Sequence, residues 1–379
     1  MTLVLPYGRQ SVDESDIEAV AAVLRGDWLT TGPALAQFEK DIAGVAGTPG
    51  AVAVTSGTAA LHTAYAAAGV REGDQVITTP LTFFATATCA IWQGAEIVFA
   101  DVSEDTGNLD PQAVAAAVTD RTKVVAGTDY AGHPIDAPAL AKVAHGAGAL
   151  LLEDAAHSVG GALDGTPVGS LADVTTFSFF PTKNLTTAEG GAVVSHDTDL
   201  LARAGEFKAI GYTRDASKWR AEGEQGGWYY EMQDLGLNYR LPDVLAALGS
   251  SQLTRLETFK KRRQAITDRY NEGLAGIDAL RTPAHREGAD PMWHLYPLRI
   301  LDGRRRELFD HMRAGGIGVQ VNYIPVHWQP YFADRGYRKG MCPVAEAYSD
   351  QELSLPMFPD LTDADVDRVI ELVREFVGA

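Results

Sequence analysis

The chain has 379 residues, 46% of them apolar and 22% charged, so it can bury a large core, is too well patterned for disorder, and exceeds the size at which one compact core stops growing. Its 50 acidic and 32 basic residues leave a formal net charge of −18, a field that repels polyanions and argues against a nucleic-acid partner. The two cysteines, Cys89 and Cys342, lie far apart without metal-ligand spacing, no apolar stretch approaches the roughly 20 residues of a membrane span, and the amino-terminal MTLVLPYGRQ lacks a basic region followed by an apolar run. Inert packing thiols, no metal site, no membrane contact and a cytoplasmic location are therefore expected.

Residues 1–34 read as an amino-terminal arm, 35–250 as a large domain and 251–379 as a smaller carboxy-terminal α/β domain. Within the large domain helical and strand patterns alternate, which predicts an α/β fold with a mostly parallel sheet covered by helices. A strand at 51–54 leads through Ser56-Gly57-Thr58 into an alanine-rich helix at 59–69. Gly73-Asp74 turns the chain into a β-branched strand at 75–79; a helix at 86–93 and the strand EIVFADV at 96–102 follow. Asp110 and Pro111 supply an N-cap and a first-turn proline for a helix at 112–118. KVVAG, ALLLED and VTTFSFF are further strands, and the continuous apolar runs at 149–152 and 174–180 belong at the centre of a parallel sheet. Residues 206–238, rich in Gly, Trp and Tyr with weak periodicity, are too long for a plain connection; they predict a functional or subunit-contacting loop without ordered elements. Beyond Leu253, TRLETFKKRRQAITDRYNEGLAGI predicts an exposed helix with the basic cluster at 260–263 on a solvated face. Strands at 294–301 and 319–323 and a helix at 363–377, capped by Thr362 with aspartates in its first turn, complete the chain.

Three segments carry chemistry. Ser56-Gly57-Thr58, between a strand and a helix, would converge free backbone N–H groups, two hydroxyls and a positive helix end on one point suited to phosphate; the same tripeptide is an equally good turn and cap. Asp154 ends the strand ALLLED at the carboxy-terminal sheet edge, where α/β proteins bind ligands. A carboxylate there can hold a pyridine nitrogen protonated or simply cap the next helix. Lys183 follows the apolar FSFFPT and precedes a Gly190-Gly191 turn, an enclosure whose desolvation frees the amine to attack an aldehyde, with Ser178 just upstream able to add a hydroxyl to the same phosphate.

Taken in order, SGTAALHTAY, PLTFFATATCAIWQGAEIVFADVSEDTGNLDP, LLEDAAHSVGG, FSFFPTKNLTTAEGGAVV, NYRLPDVLAALG and YIPVHWQPYF resemble the DegT/DnrJ/EryC1/StrS family of sugar aminotransferases over nearly the whole chain. The resemblance implies a fold type I, aspartate aminotransferase-like architecture with pyridoxal 5'-phosphate as cofactor. It implies that Lys183 forms the Schiff base with the cofactor, that Asp154 pairs with the pyridinium nitrogen and that Phe83 stacks on the ring. Gly57, Thr58 and Ser178 would hold the phosphate, and Asn238 would reach it from the second subunit of a homodimer with shared sites. His157 stands where many relatives carry glutamine, beside the cofactor's phenolic oxygen, as a hydrogen-bond donor or as a satisfied histidine. The dehydratase branch carries histidine where this chain has Lys183, so transamination is implied; Ala188, where glycine is frequent, adds only a methyl group near a turn.

Within the family, WYYEMQDLGLNYR, HLYPLRI and GIGVQVNYIPVHWQPYF resemble the 4-aminotransferases of pseudaminic acid assembly, which implies a UDP-linked 4-keto-6-deoxy-N-acetylhexosamine as acceptor and glutamate as amino donor. A dTDP-linked keto-sugar or a cyclitol ketone stays open as acceptor. Trp228, Tyr229, Tyr230 and Trp328 suit stacking on uracil and sugar faces, or equally a subunit contact. A nicotinamide-dependent oxidoreductase would need a G-x-G-x-x-G turn after an early strand, and none occurs near the amino terminus. A non-catalytic cofactor-binding regulator is the competing reading of another class, and retention of the lysine, the carboxylate and the ring-stacking aromatic weighs against it.

Overall fold

The computed structural model describes residues 5–223 and 225–379. Its centre is a seven-stranded sheet: β1 (Gly50–Val54), β2 (Gln75–Thr78), β3 (Glu96–Phe99), β4 (Thr122–Thr128), β5 (Leu150–Asp154), β6 (Val174–Ser178) and β7 (Gly191–Ser195). They lie in the order β1-β7-β6-β5-β4-β2-β3, and β7 alone runs against the others. Successive residues of one strand feed opposite cores. Val124, Ala126 and Leu152 pack into one cluster with Ala60, Leu61 and Ala64 of the Gly57–Ala67 helix, whereas Val125 and Leu151 pack into another with Leu140 and Ala144 of the Ala137–Gly146 helix. Burial on both faces is why these strands read as unbroken apolar runs.

Apart from residues 319–323, the expected elements form, with ends shifted by a few residues. Glu96–Phe99 stops short of residue 102, and Val174–Ser178 ends before Phe179 because the chain must leave the sheet there to present the Lys183 segment. Residues 206–238, for which no ordered element was expected, contain a short antiparallel pair, Tyr212–Thr213 with Glu231–Met232. Past the Leu256–Gly273 helix, Leu280–Arg281, Tyr296–Ile300 and Glu352–Leu355 form a second, antiparallel sheet.

Two expectations are corrected. Residues 319–323 are not a strand: they make one isolated bridge, Gln320 to Ser354, because the Asn322 N–H is taken by the buried Glu352 carboxyl at 2.7 Å instead of a neighbouring strand. The basic cluster at 260–263 is not uniformly solvated either. Arg263 is 1% exposed and its Nη1 donates to the carbonyls of Trp293, His294 and Met357 at 3.2–3.4 Å, so it ties the middle of that helix to two loops, while Lys260 pairs with Asp290. Cys89 and Cys342 are free and buried, and no helix among the described residues is long and apolar enough to cross a membrane.

The head of the Pro33–Ala46 helix is fixed by borrowed capping. The Pro33–Ala46 helix begins at Gly32, which has no side chain to satisfy the first-turn N–H groups. Asp243, fully buried at the head of the Asp243–Leu253 helix, accepts from the N–H of Gly32 at 2.8 Å, Ala34 at 2.9 Å and Leu35 at 3.2 Å. Asp243→Ala leaves those donors buried without partners and is expected to lower stability by at least about 2 kcal/mol, read as a shift of the urea unfolding midpoint.

Candidate active site

The carboxy-terminal ends of β1, β4, β5 and β6 open onto a cavity of about 520 Å³ lined by Ser56, Gly57, Thr58, Phe83, Thr86, Thr128, Asp154, His157, Ser178, Lys183, His294 and Tyr323, among others. A pocket at this edge follows from the parallel topology, since every crossover leaves its strand here. The cavity gathers Gly57, Thr58, Phe83, Asp154, His157, Ser178 and Lys183. Asn238 is not among its walls: it is exposed and makes a single antiparallel bridge with Ala209.

Asp154 is the last residue of β5 and is held in place by a directional chain of hydroxyls. Thr86 Oγ1 donates to Asp154 Oδ2 at 2.7 Å, which uses its only proton, so Thr82 must donate to Thr86 at 2.8 Å, and Thr128 donates to Thr82 at 3.1 Å. The Ala156 N–H donates to Oδ1 at 3.2 Å. Burial raises the Asp154 pKa; the Thr86 hydrogen bond and the Lys183 cation work against that rise. Lys183 sits in the turn after β6, held by the Lys183 N–H to Phe180 carbonyl bond at 2.9 Å and the Thr187 to Phe179 bond at 3.0 Å. Burial pushes its amine down to about 8, with Asp154 pulling the other way. Ala188, in the same turn, has a φ of 65°, so the methyl group expected to be minor stands in the left-handed region that favours glycine.

At the other end of the cavity Ser56 caps the Gly57–Ala67 helix through its Oγ and the Ala59 N–H, leaving the first-turn N–H groups of Gly57 and Thr58 as donors. Gly57 is required by contact: a Cβ there would lie 2.6 Å from Ser178 Cβ and 2.8 Å from its Oγ. Backbone donors, a helix terminus and two hydroxyls brought this close fit a phosphate group, and the buried Asp154 carboxylate fits a protonated ring nitrogen. Phe83, 48% exposed, stands at the cavity wall with its ring 6.5 Å from that of Tyr323. His157 shares its Nε2 with Tyr323 Oη at 3.0 Å, and burial holds its pKa well below the ordinary histidine value, so it is neutral.

These features converge on residues 10–374, which match the DegT/DnrJ/EryC1/StrS aminotransferase family. The chain belongs to that family. With solved relatives in PMP and PLP forms, the chain is a PLP-dependent transaminase: the cofactor is pyridoxal 5'-phosphate and the fold is type I. The spore coat polysaccharide biosynthesis protein SpsC of Bacillus subtilis is 40% identical, with 98% of this chain and 97% of SpsC covered. The PMP form of Spr1654 from Streptococcus pneumoniae superposes with a TM-score of 0.92 at 30% identity, covering 99% of each chain. Helicobacter pylori PseC, an aminotransferase of pseudaminic acid biosynthesis, superposes with a TM-score of 0.91 at 27% identity, covering 99% of each chain.

Several wall residues went unrecognised in the sequence. Thr86 lies inside the TFFATAT motif, but its bond to Asp154 spans 68 positions. Tyr7, assigned only to an amino-terminal arm, reaches the cavity and accepts from Asn322 Nδ2 at 2.8 Å. Tyr323 and His294 line the cavity from loops; they lie inside the quoted YIPVHWQPYF and HLYPLRI segments, but no local pattern assigned either to the site.

The amine near 8 gives a testable pH dependence. Because the unprotonated form is the nucleophile, borohydride-trappable attachment of pyridoxal phosphate to the cofactor-free enzyme is expected to accelerate as pH rises through about 8. Asp154→Asn removes the carboxylate that favours the cation, so the midpoint should move to lower pH; a midpoint unmoved or raised would separate the two groups.

Proposed function

We propose that this family member transfers the amino group of L-glutamate to the C4 ketone of a nucleotide-linked 6-deoxy sugar, a UDP-linked 4-keto-6-deoxy-N-acetylhexosamine, and works as a homodimer. The reading rests on one observation: a single cavity holds an amine near 8, a buried carboxylate and a backbone cradle suited to phosphate. Similarity to PseC and to SpsC supports a sugar acceptor and, through PseC, the pseudaminic acid branch.

When bound, pyridoxal phosphate supplies an electron-withdrawing ring that allows a proton to leave the carbon bearing the transferred nitrogen. Lys183 is the residue we assign to move that proton. Its Nζ, free of the ordinary ammonium charge above about pH 8, would accept the proton from the donor carbon and deliver it to the cofactor carbon that carried the aldehyde within the same half-reaction, and would move a proton the other way, onto the acceptor carbon, in the second. Asp154 keeps the ring nitrogen protonated, and the Thr128–Thr82–Thr86 chain fixes the carboxylate against rotation. Gly57, Thr58 and Ser178 would hold the phosphate, Phe83 would cover one ring face, and His157 would hydrogen-bond the phenolic oxygen.

Asn238 completes the cradle from the partner subunit in this reading. Its exposure, and the exposed Trp228, Tyr230, Met232 and Leu235 on the same segment, support a surface covered by a second copy.

Lys183→Ala is expected to abolish borohydride-trappable attachment with the fold retained by circular dichroism, and a trapped adduct in that variant would rule out Lys183 as the attachment point. Subunit sharing is tested by mixing Lys183→Ala with Asn238→Asp under exchange conditions. Tag-selected heterodimers should regain activity from their one intact site; no recovery would place Asn238 with Lys183 in one subunit. For the acceptor, the pyridoxamine phosphate form should aminate UDP-linked 4-keto-6-deoxy-N-acetylhexosamine, and turnover confined to dTDP-linked keto-sugars would displace that substrate.

A further inference from the structure

The asparagine after the lysine ties three segments together. Asn184 is 2% exposed; its Nδ2 donates to the carbonyl of His157 at 2.6 Å and of Met292 at 2.9 Å, and its Oδ1 lies 3.0 Å from His294 Nδ1. The amide admits one orientation, because turning it over would set its oxygen against two carbonyl oxygens at those separations. Oδ1 is therefore the acceptor, and the proton it shares belongs to His294 Nδ1.

A doubly protonated His294 is disfavoured by its surroundings. The ring is 7% exposed, lies 4.4 Å from the neutral His157 ring, and has the cations Lys183 and Arg263 as its charged neighbours. Burial foremost, then these groups, hold its pKa well below the ordinary value. That leaves Nε2 with a bare lone pair. His294 lines the same cavity as Lys183, and among the described residues Nε2 has no hydrogen-bond partner, yet it is not sealed from solvent as His157 Nδ1 is.

We infer that Asn184 is a positioning residue that locks His294 as the Nδ1–H tautomer, so that His294 presents an unprotonated Nε2 to the cavity as a hydrogen-bond acceptor for a hydroxyl or ammonium group of a substrate. His294 shares the cavity with two groups that can donate to a substrate, the Lys183 amine and the Tyr323 hydroxyl. An acceptor held neutral adds specificity without adding a charge that would compete with Asp154 for the Lys183 cation.

The tautomer can be read independently of the reaction. Histidine-selective ¹⁵N labelling of the full-length holoenzyme, with His294→Phe identifying the signal, is expected to show Nδ1–H and bare Nε2 from about pH 8 to about pH 6. An Nε2–H tautomer or an imidazolium in the unaltered protein overturns the inference. Asn184→Asp removes both amide donors and places a carboxylate at Nδ1, and is expected to turn His294 into an imidazolium within that range; an unchanged tautomer in the folded variant overturns the lock. If that variant does not fold, the unaltered protein still decides the tautomer. The activity arm rests on the proposed transamination: His294→Phe keeps a ring against His157 and loses both nitrogens, so kcat/KM should fall by about tenfold or more with borohydride-trappable attachment intact. An unchanged kcat/KM would overturn the acceptor role alone. Absence of transamination in the unaltered enzyme would overturn the proposed function and leave the tautomer result standing.

Discussion

An amine and a carboxylate are enclosed together at the end of a parallel sheet, and much of the structure serves that enclosure. Burial drives both Lys183 and Asp154 toward neutrality, and each opposes the other's loss of charge. Neither residue could be held there alone at low cost, because an unpaired buried charge is among the most destabilising features a core can contain. The two are delivered by different means. Asp154 arrives on the register of β5, and Lys183 arrives on a turn that must first leave β6 at Ser178 and return as β7.

The walls around this pair are polar, and their order comes from satisfaction of buried groups. Three threonine hydroxyls point one way along a chain ending at Asp154; one asparagine amide joins the segments of His157, Met292 and His294; one buried arginine collects three carbonyls. Each network links residues far apart in sequence and is satisfied only in one arrangement, so it selects a single conformation of the cavity. Glu352 does the same for the segment carrying Asn322 and Tyr323. It receives the Asn322 N–H and the Ser354 hydroxyl, and burial pushes its carboxyl up to about 8.

The surface around residues 210–240 has a different character. Trp228 is 83% exposed and Leu235 78%, in a chain whose net charge is −18. Large apolar groups left this open on a strongly acidic protein support the proposed second copy of the chain at this surface. They also lie where the sequence shows weak periodicity.

Much of the enzyme was legible in the residues alone. Unbroken apolar runs revealed strands covered on both faces, Asp110-Pro111 and Thr362 marked helix starts, and Gly57, Asp154 and Lys183 were marked as candidates, with a turn or cap reading left open for the first two until the family motifs were read together. What the tertiary structure decided was long-range pairing: that Arg263 is a buried tie and not part of a solvated cluster, that residues 319–323 yield their strand bonding to Glu352, that Tyr7 reaches the cavity, and that Thr86 and Asn184 orient the groups beside them. Periodicity and capping are encoded within a few residues, whereas the partner of a buried polar group is chosen by the fold, across separations that leave no pattern in a single chain.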